Sequence, residues 1–108
     1  NALSLATWSV HVLSLLEWGA AMVLVWQYAA VAKQPAFRKL AWAMVPLLGA
    51  GAGAVDFHLY WNDPSVEWLL ALQGMLTLGG NAACFWAARE IRLEADATRA
   101  AQISQTNA

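Results

Sequence analysis

The chain has 108 residues, of which 60% are hydrophobic and only 12% charged, with a net charge of −1 and a single cysteine. That charged share is about half of what a soluble domain carries, which excludes a globule with a polar surface. The net charge says nothing about partners by itself, no nucleic-acid partner is expected, and one cysteine excludes an internal disulfide or a paired-cysteine metal motif.

The charges divide the chain. Glu17 is alone in the first 32 residues, none falls between Lys39 and Asp56, and none between Glu67 and Arg89. A bilayer core of about 30 Å needs about 20 helical residues, so three spanning helices are predicted. They lie at about 8–32, 37–61 and 65–90. Lys33-Gln34-Pro35 closes the first, and Asn62-Asp63-Pro64-Ser65 turns the chain into the third. Such short connections make neighbours antiparallel, giving an all-α, up-down-up bundle in one domain over 1–98. The polar tail, 99–108, is expected to fray. With no basic leader and no small-residue cleavage signal, the first helix reads as a retained span.

All six basic residues fall on one side: Lys33, Arg38 and Lys39 in the first loop, and Arg89, Arg92 and Arg99 after the third helix. The positive-inside rule then places the C-terminus in the cytoplasm or stroma and the N-terminus in the periplasm or lumen. Trp8, Trp61 and Trp68 would belt the outer interface, and Trp26, Trp42 and Trp86 the inner one. Trp18 is left at depth.

At about 1.5 Å per residue, His11, Asp56 and His58 share a level roughly 3–6 Å below the outer belt. Glu17, Gly51 and Thr77 lie deeper, roughly 14 Å down and near the midplane. A carboxyl at that depth is expected to face the bundle and find polar partners. Gln73, Thr77 and Asn81, four residues apart on the third helix, are the expected partners. Gly49, Gly51 and Gly53 would form a small-residue seam on the second, with Gly49 and Gly53 letting backbones approach. This deep cluster reads first as interhelical hydrogen bonding, with a proton relay as the alternative. At the shallower level, Asp56 is the expected acceptor for His11. Either His11 or His58 could instead be an axial ligand for the magnesium of a chlorophyll or the iron of a haem, oriented by an acceptor such as Asp56. No nucleophile-base pair stands in an aqueous pocket, so no enzymatic activity is expected.

Two segments are distinctive in their polar positions: LSLATWSVHVLSLLEW at 3–18 and FHLYWNDPSVEWLLALQGMLTLGGNAA at 57–83. Thr7, Trp8, His11, Ser14, Glu17 and Trp18 open the pattern, and Trp26 and Tyr28 close the first helix. Ser65, Glu67, Trp68, Leu69, Leu72, Gln73, Gly80 and Asn81 follow in the third. The chain resembles, over most of residues 3–88, a membrane family of cyanobacteria and plastids named as hypothetical chloroplast reading frame number forty-nine. The second helix departs from the family pattern in its alternating glycines and in Asp56.

The resemblance implies an integral protein of the thylakoid membrane in an oxygenic phototroph. Its partners would be membrane lipid and the subunits of a photosystem or another thylakoid complex. The expected role is that of an accessory subunit or an assembly or stability factor, carrying chlorophyll a or a carotenoid at the interface. A small haem-binding redox protein is the first alternative, and a proton or solute carrier the second.

Overall fold

The computed structural model describes residues 3–108, and every described element is helical. Ser4 starts the first helix, α1 (Leu5–Val31), by accepting the Thr7 amide on its hydroxyl at 3.2 Å. Nothing in the next 27 residues breaks the helix, and apolar side chains surround it on all sides, as a lipid-facing span requires. The chain leaves it through Lys33, whose left-handed φ of 54° lets the Gln34 amide fold back onto the Ala29 carbonyl at 3.0 Å.

The second span is two helices, α2 (Phe37–Ala43) and α3 (Val45–Leu59), where the sequence suggests one. Pro46 causes the break, because it has no N–H to give the preceding turn. A left-handed pair, Trp61 (φ 60°) and Asn62 (φ 56°), then reverses the chain. Asp63 caps a single 3-10 turn, Pro64–Val66, through the Ser65 amide at 2.7 Å. The last helix, α4 (Trp68–Thr106), spans 39 residues, or about 58 Å. It runs through the tail expected to fray from residue 99, because residues 89–106 contain no Gly or Pro to stop it.

Three helices are thus long and apolar enough to cross a membrane: Leu5–Val31, Phe37–Leu59 and Pro64–Thr106. They do not close into a bundle. The α2–α3 span lies between α1 and α4, which barely meet, and the molecule measures 67 × 24 × 14 Å. A thickness of 14 Å is little more than one helix with its side chains. The seams of this layer are built from small residues, with Ala29, Ala36, Ala41, Ala43, Ala50 and Ala87 buried and no large side chain fully enclosed.

The tightest approaches are at Gly51 and Gly80. A Cβ on Gly51 would come within 2.8 Å of Leu15 on α1, and one on Gly80 within 2.7 Å of Leu47 on α3. Gly49 abuts Leu76, whereas Gly53 has nothing within 4 Å. The expected Gly49–Gly53 pairing is therefore corrected: Gly49 meets α4, Gly51 meets α1, and Gly53 meets neither.

Candidate functional site

Three clusters of polar groups are fixed by this layer. The first lies at its outer end, where α1 and α3 bring His11 and His58 into ring contact, with centroids 5.6 Å apart and planes at 82°. His11 sets Nδ1 2.8 Å from the Thr7 carbonyl, one turn back on its own helix. A carbonyl only accepts, so Nδ1 carries a proton, and in the neutral tautomer the lone pair is on Nε2. His58 repeats the arrangement with the Asn62 side-chain oxygen, also at 2.8 Å, across the left-handed turn. Neither Nε2 has a partner among the described residues. Trp8 stands beside His11, 6.5 Å between centroids, and its buried indole N–H has no acceptor. A groove beside the pair is lined by His11, Ser14, Gly51 and Ala54.

Asp56 does not orient His11 as expected. It is exposed, and the Thr7 carbonyl takes its place because an imidazole on a helix reaches the turn behind it without crossing a seam.

The second cluster surrounds the break at Pro46. The Trp18 indole donates to the Met44 carbonyl at 3.0 Å, and the Cys84 thiol approaches the Ala43 carbonyl at 3.6 Å. Irregular backbone in a bilayer must be satisfied by its neighbours: the Cys84 thiol faces the Ala43 carbonyl, and the Met44 carbonyl, which accepts the Leu48 amide at 3.1 Å, takes the Trp18 indole as a second donor. Pro46 inside a span was the available signal for this site, and the unexplained depth of Trp18 was its counterpart.

Glu17 sits close by but does not join the expected cluster. It is exposed on α1 and unpartnered among the described residues. Thr77 donates to the Gln73 carbonyl of its own helix at 2.8 Å, and Asn81 is exposed. The intervening span keeps α1 and α4 apart, so Glu17 meets none of Gln73, Thr77 and Asn81 within one chain.

The third cluster is at the inner end. Glu94 accepts the Ala36 amide on both carboxylate oxygens, at 3.1 and 3.4 Å, and so caps α2 from α4. Lys39 pairs with Glu90 at 3.4 Å and lies 5.3 Å from the Trp86 ring, while Arg38 covers Trp26 at 4.9 Å. These contacts hold the first loop against the middle of α4, which places the two basic groups on one side. Nothing in the spacing of Glu90 and Glu94 reveals their donors, the Lys39 ammonium and the Ala36 amide, which lie more than 50 residues away.

A family described as a protein of unknown function, DUF2499, matches residues 2–90. A Ycf49-like protein from the cyanobacterium Synechocystis is 44% identical over 81 residues, covering 75% of this chain and 78% of that protein. No solved structure matches the chain. The match takes in the first two spans, the third as far as residue 90 and every residue of the outer and central clusters, and the chain belongs to the DUF2499 family, that of the Ycf49-like protein.

Proposed function

We propose that this protein is a non-enzymatic accessory subunit of the thylakoid membrane that docks laterally on a larger photosynthetic complex, a photosystem first, and binds chlorophyll at its outer end. The observation that carries the reading is the pair of histidines whose Nδ1 protons are taken up locally and whose Nε2 lone pairs are left unused. Magnesium in a chlorophyll takes one axial ligand, and an imidazole oriented through its other nitrogen is suited to supply it. His11 or His58 would hold the metal, and the orphaned Trp8 N–H is a donor for a carbonyl on the pigment rim. The cyanobacterial relative is consistent with a thylakoid setting.

Docking draws support from the other face of the layer. Met22, Val23, Trp26, Trp42 and Val45 line an open apolar groove there, with Trp42 67% exposed. The common side of the basic residues supports a cytoplasmic or stromal C-terminus and a lumenal N-terminus. An open layer also provides no enclosed path for a carrier.

The test is mild-detergent purification from thylakoids, with absorption spectra and identification of co-purifying subunits for wild type, His11→Ala and His58→Ala. Retained photosystem subunits and a chlorophyll band that weakens in one histidine variant are expected. A band equal in all three overturns the ligation, and a protein purified without any photosynthetic subunit overturns the docking.

A further inference from the structure

We infer that two copies of this chain pack face to face in the membrane, with Glu17 of each meeting Asn81 of the other. An exposed, unpartnered carboxyl near the midplane is costly in lipid and marks a missing neighbour. The same face of the molecule supplies a complementary group. On α1, His11, Leu15, Trp18, Met22 and Ala29 form the stripe turned to the middle span, through the Leu15–Gly51 approach and the Trp18–Met44 bond. At 100° per residue Glu17 stands about 130° from the centre of that stripe. On α4, Leu69, Leu76, Gly80, Cys84 and Ala87 form the corresponding stripe, and Asn81 stands about 110° from its centre in the opposite rotational sense.

Because α1 and α4 run parallel on opposite flanks, opposite senses bring both groups out on one face. Their depth also agrees. Trp18 reaches Met44 and Gly80 abuts Leu47, so Glu17 and Asn81 both lie at the level of the first turn of α3. They are separated by the whole middle span and cannot bond within one chain.

A two-fold axis along the membrane normal, set beyond that face, lays α1 of one copy beside α4 of the other, as an isologous interface requires. The heptad neighbours of the two polar groups then fit by size. Val10, seven residues before Glu17, faces Gly74, seven before Asn81; Leu24, seven after Glu17, faces Ala88, seven after Asn81. Val10 and Leu24 are 62% and 64% exposed, and a Cβ on Gly74 would have open space around it. Large residues on one helix thus oppose small ones on the other, the condition for close packing in lipid, with an acid–amide hydrogen bond between them. This association needs neither pigment nor a photosynthetic partner.

The experiment uses the pure full-length chain in phosphatidylcholine–phosphatidylglycerol vesicles, with Cys84→Ala as background. Glu17→Cys and Asn81→Cys versions carrying different tags should form an oxidative cross-link when mixed and little when either is alone. In the original background, energy transfer between labelled copies should show association weakened about ten-fold or more by Glu17→Leu, since two interhelical hydrogen bonds are lost. The exchange E17N with N81E should restore it. Cross-linking of Glu17→Cys with itself as strong as in the mixture, or association indifferent to Glu17→Leu, overturns the interface. A protein monomeric in these vesicles overturns the inference outright and leaves the docking proposal to its own test.

Discussion

Replacing Gly80 with alanine adds one methyl group at the closest approach of α3 and α4. That methyl would lie 2.7 and 2.8 Å from Leu47 Cγ and Cδ2, and 3.3 Å from the Leu47 backbone nitrogen. Rotating the leucine side chain relieves the Cδ2 contact. Rotation about χ2 leaves Cγ in place, χ1 has few alternatives on a helix, and no rotation moves the backbone nitrogen, so α3 itself must move away from α4. Overpacking of this kind costs about 1–3 kcal/mol. Alanine returns at most about 1 kcal/mol through its better helix propensity. The expected net loss is about 0–2 kcal/mol against wild type, and about 1–3 kcal/mol against an alanine that meets no neighbour. Gly79 is the internal control: a Cβ there meets nothing within 4 Å, so Gly79→Ala should be neutral or slightly stabilising. Reversible denaturant unfolding in mild detergent, followed by the fluorescence of the seven tryptophans, measures both variants under identical conditions. If Gly80→Ala proves as stable as Gly79→Ala, the account of a seam set by backbone approach is wrong.

Trp18→Phe removes the only side-chain hydrogen bond to the Met44 carbonyl among the described residues while keeping an aromatic ring, and should cost about 0.6–2 kcal/mol in the same unfolding assay. An unchanged midpoint would show that the proline break needs no donor. Glu94→Ala leaves the Ala36 amide without its carboxylate and should speed hydrogen exchange at the start of α2, whereas Glu94→Gln, which keeps one acceptor oxygen, should change it less. Equal exchange in the two variants counts against the cap. The Asp63 carboxyl is held below its ordinary value of 3.8 by hydrogen bonds from Ser65, the side chain first and the backbone amide second. A folded value lowered in this way gives the turn an advantage that is present above about pH 4 and fades as acid titrates the carboxylate. The Ser65 amide resonance should therefore titrate with a midpoint below 3.8, and Asp63→Asn should abolish the transition. A midpoint at or above 3.8 would contradict the capping geometry.

The spans were legible because a bilayer imposes length and charge rules that any sequence must obey, so the gaps around Glu17, Lys39–Asp56 and Glu67–Arg89 located three helices before any contact was known. Equal depth also brought His11 and His58 to one level. Lateral arrangement was not legible. Depth gives height along the membrane normal and says nothing about which side of a helix meets its neighbour. Glu17 and Thr77 were therefore matched in height on helices that barely meet, and Asp56 was assigned to a histidine that uses its own backbone. Pro46 shows a different kind of omission. Its effect on the helix follows from its chemistry alone, but only the fold reveals that Trp18 and Cys84 answer it.

The thinness of the layer has a consequence for how much of this chain is interior at all. A closed bundle shields a central column of side chains from the solvent around it, whereas a slab one helix thick leaves almost every residue at a boundary. Alanine seams hold the slab, and its bulky side chains point outward. Among the described residues no polar or charged residue is buried, and the Trp8 indole N–H is a single concealed atom. Doubling the thickness creates the missing middle plane, and Glu17, Thr77 and Asn81 stand where that plane would form. The monomer is then a half-core, and the environment of its deepest carboxyl is decided by what lies against it, not by its own fold.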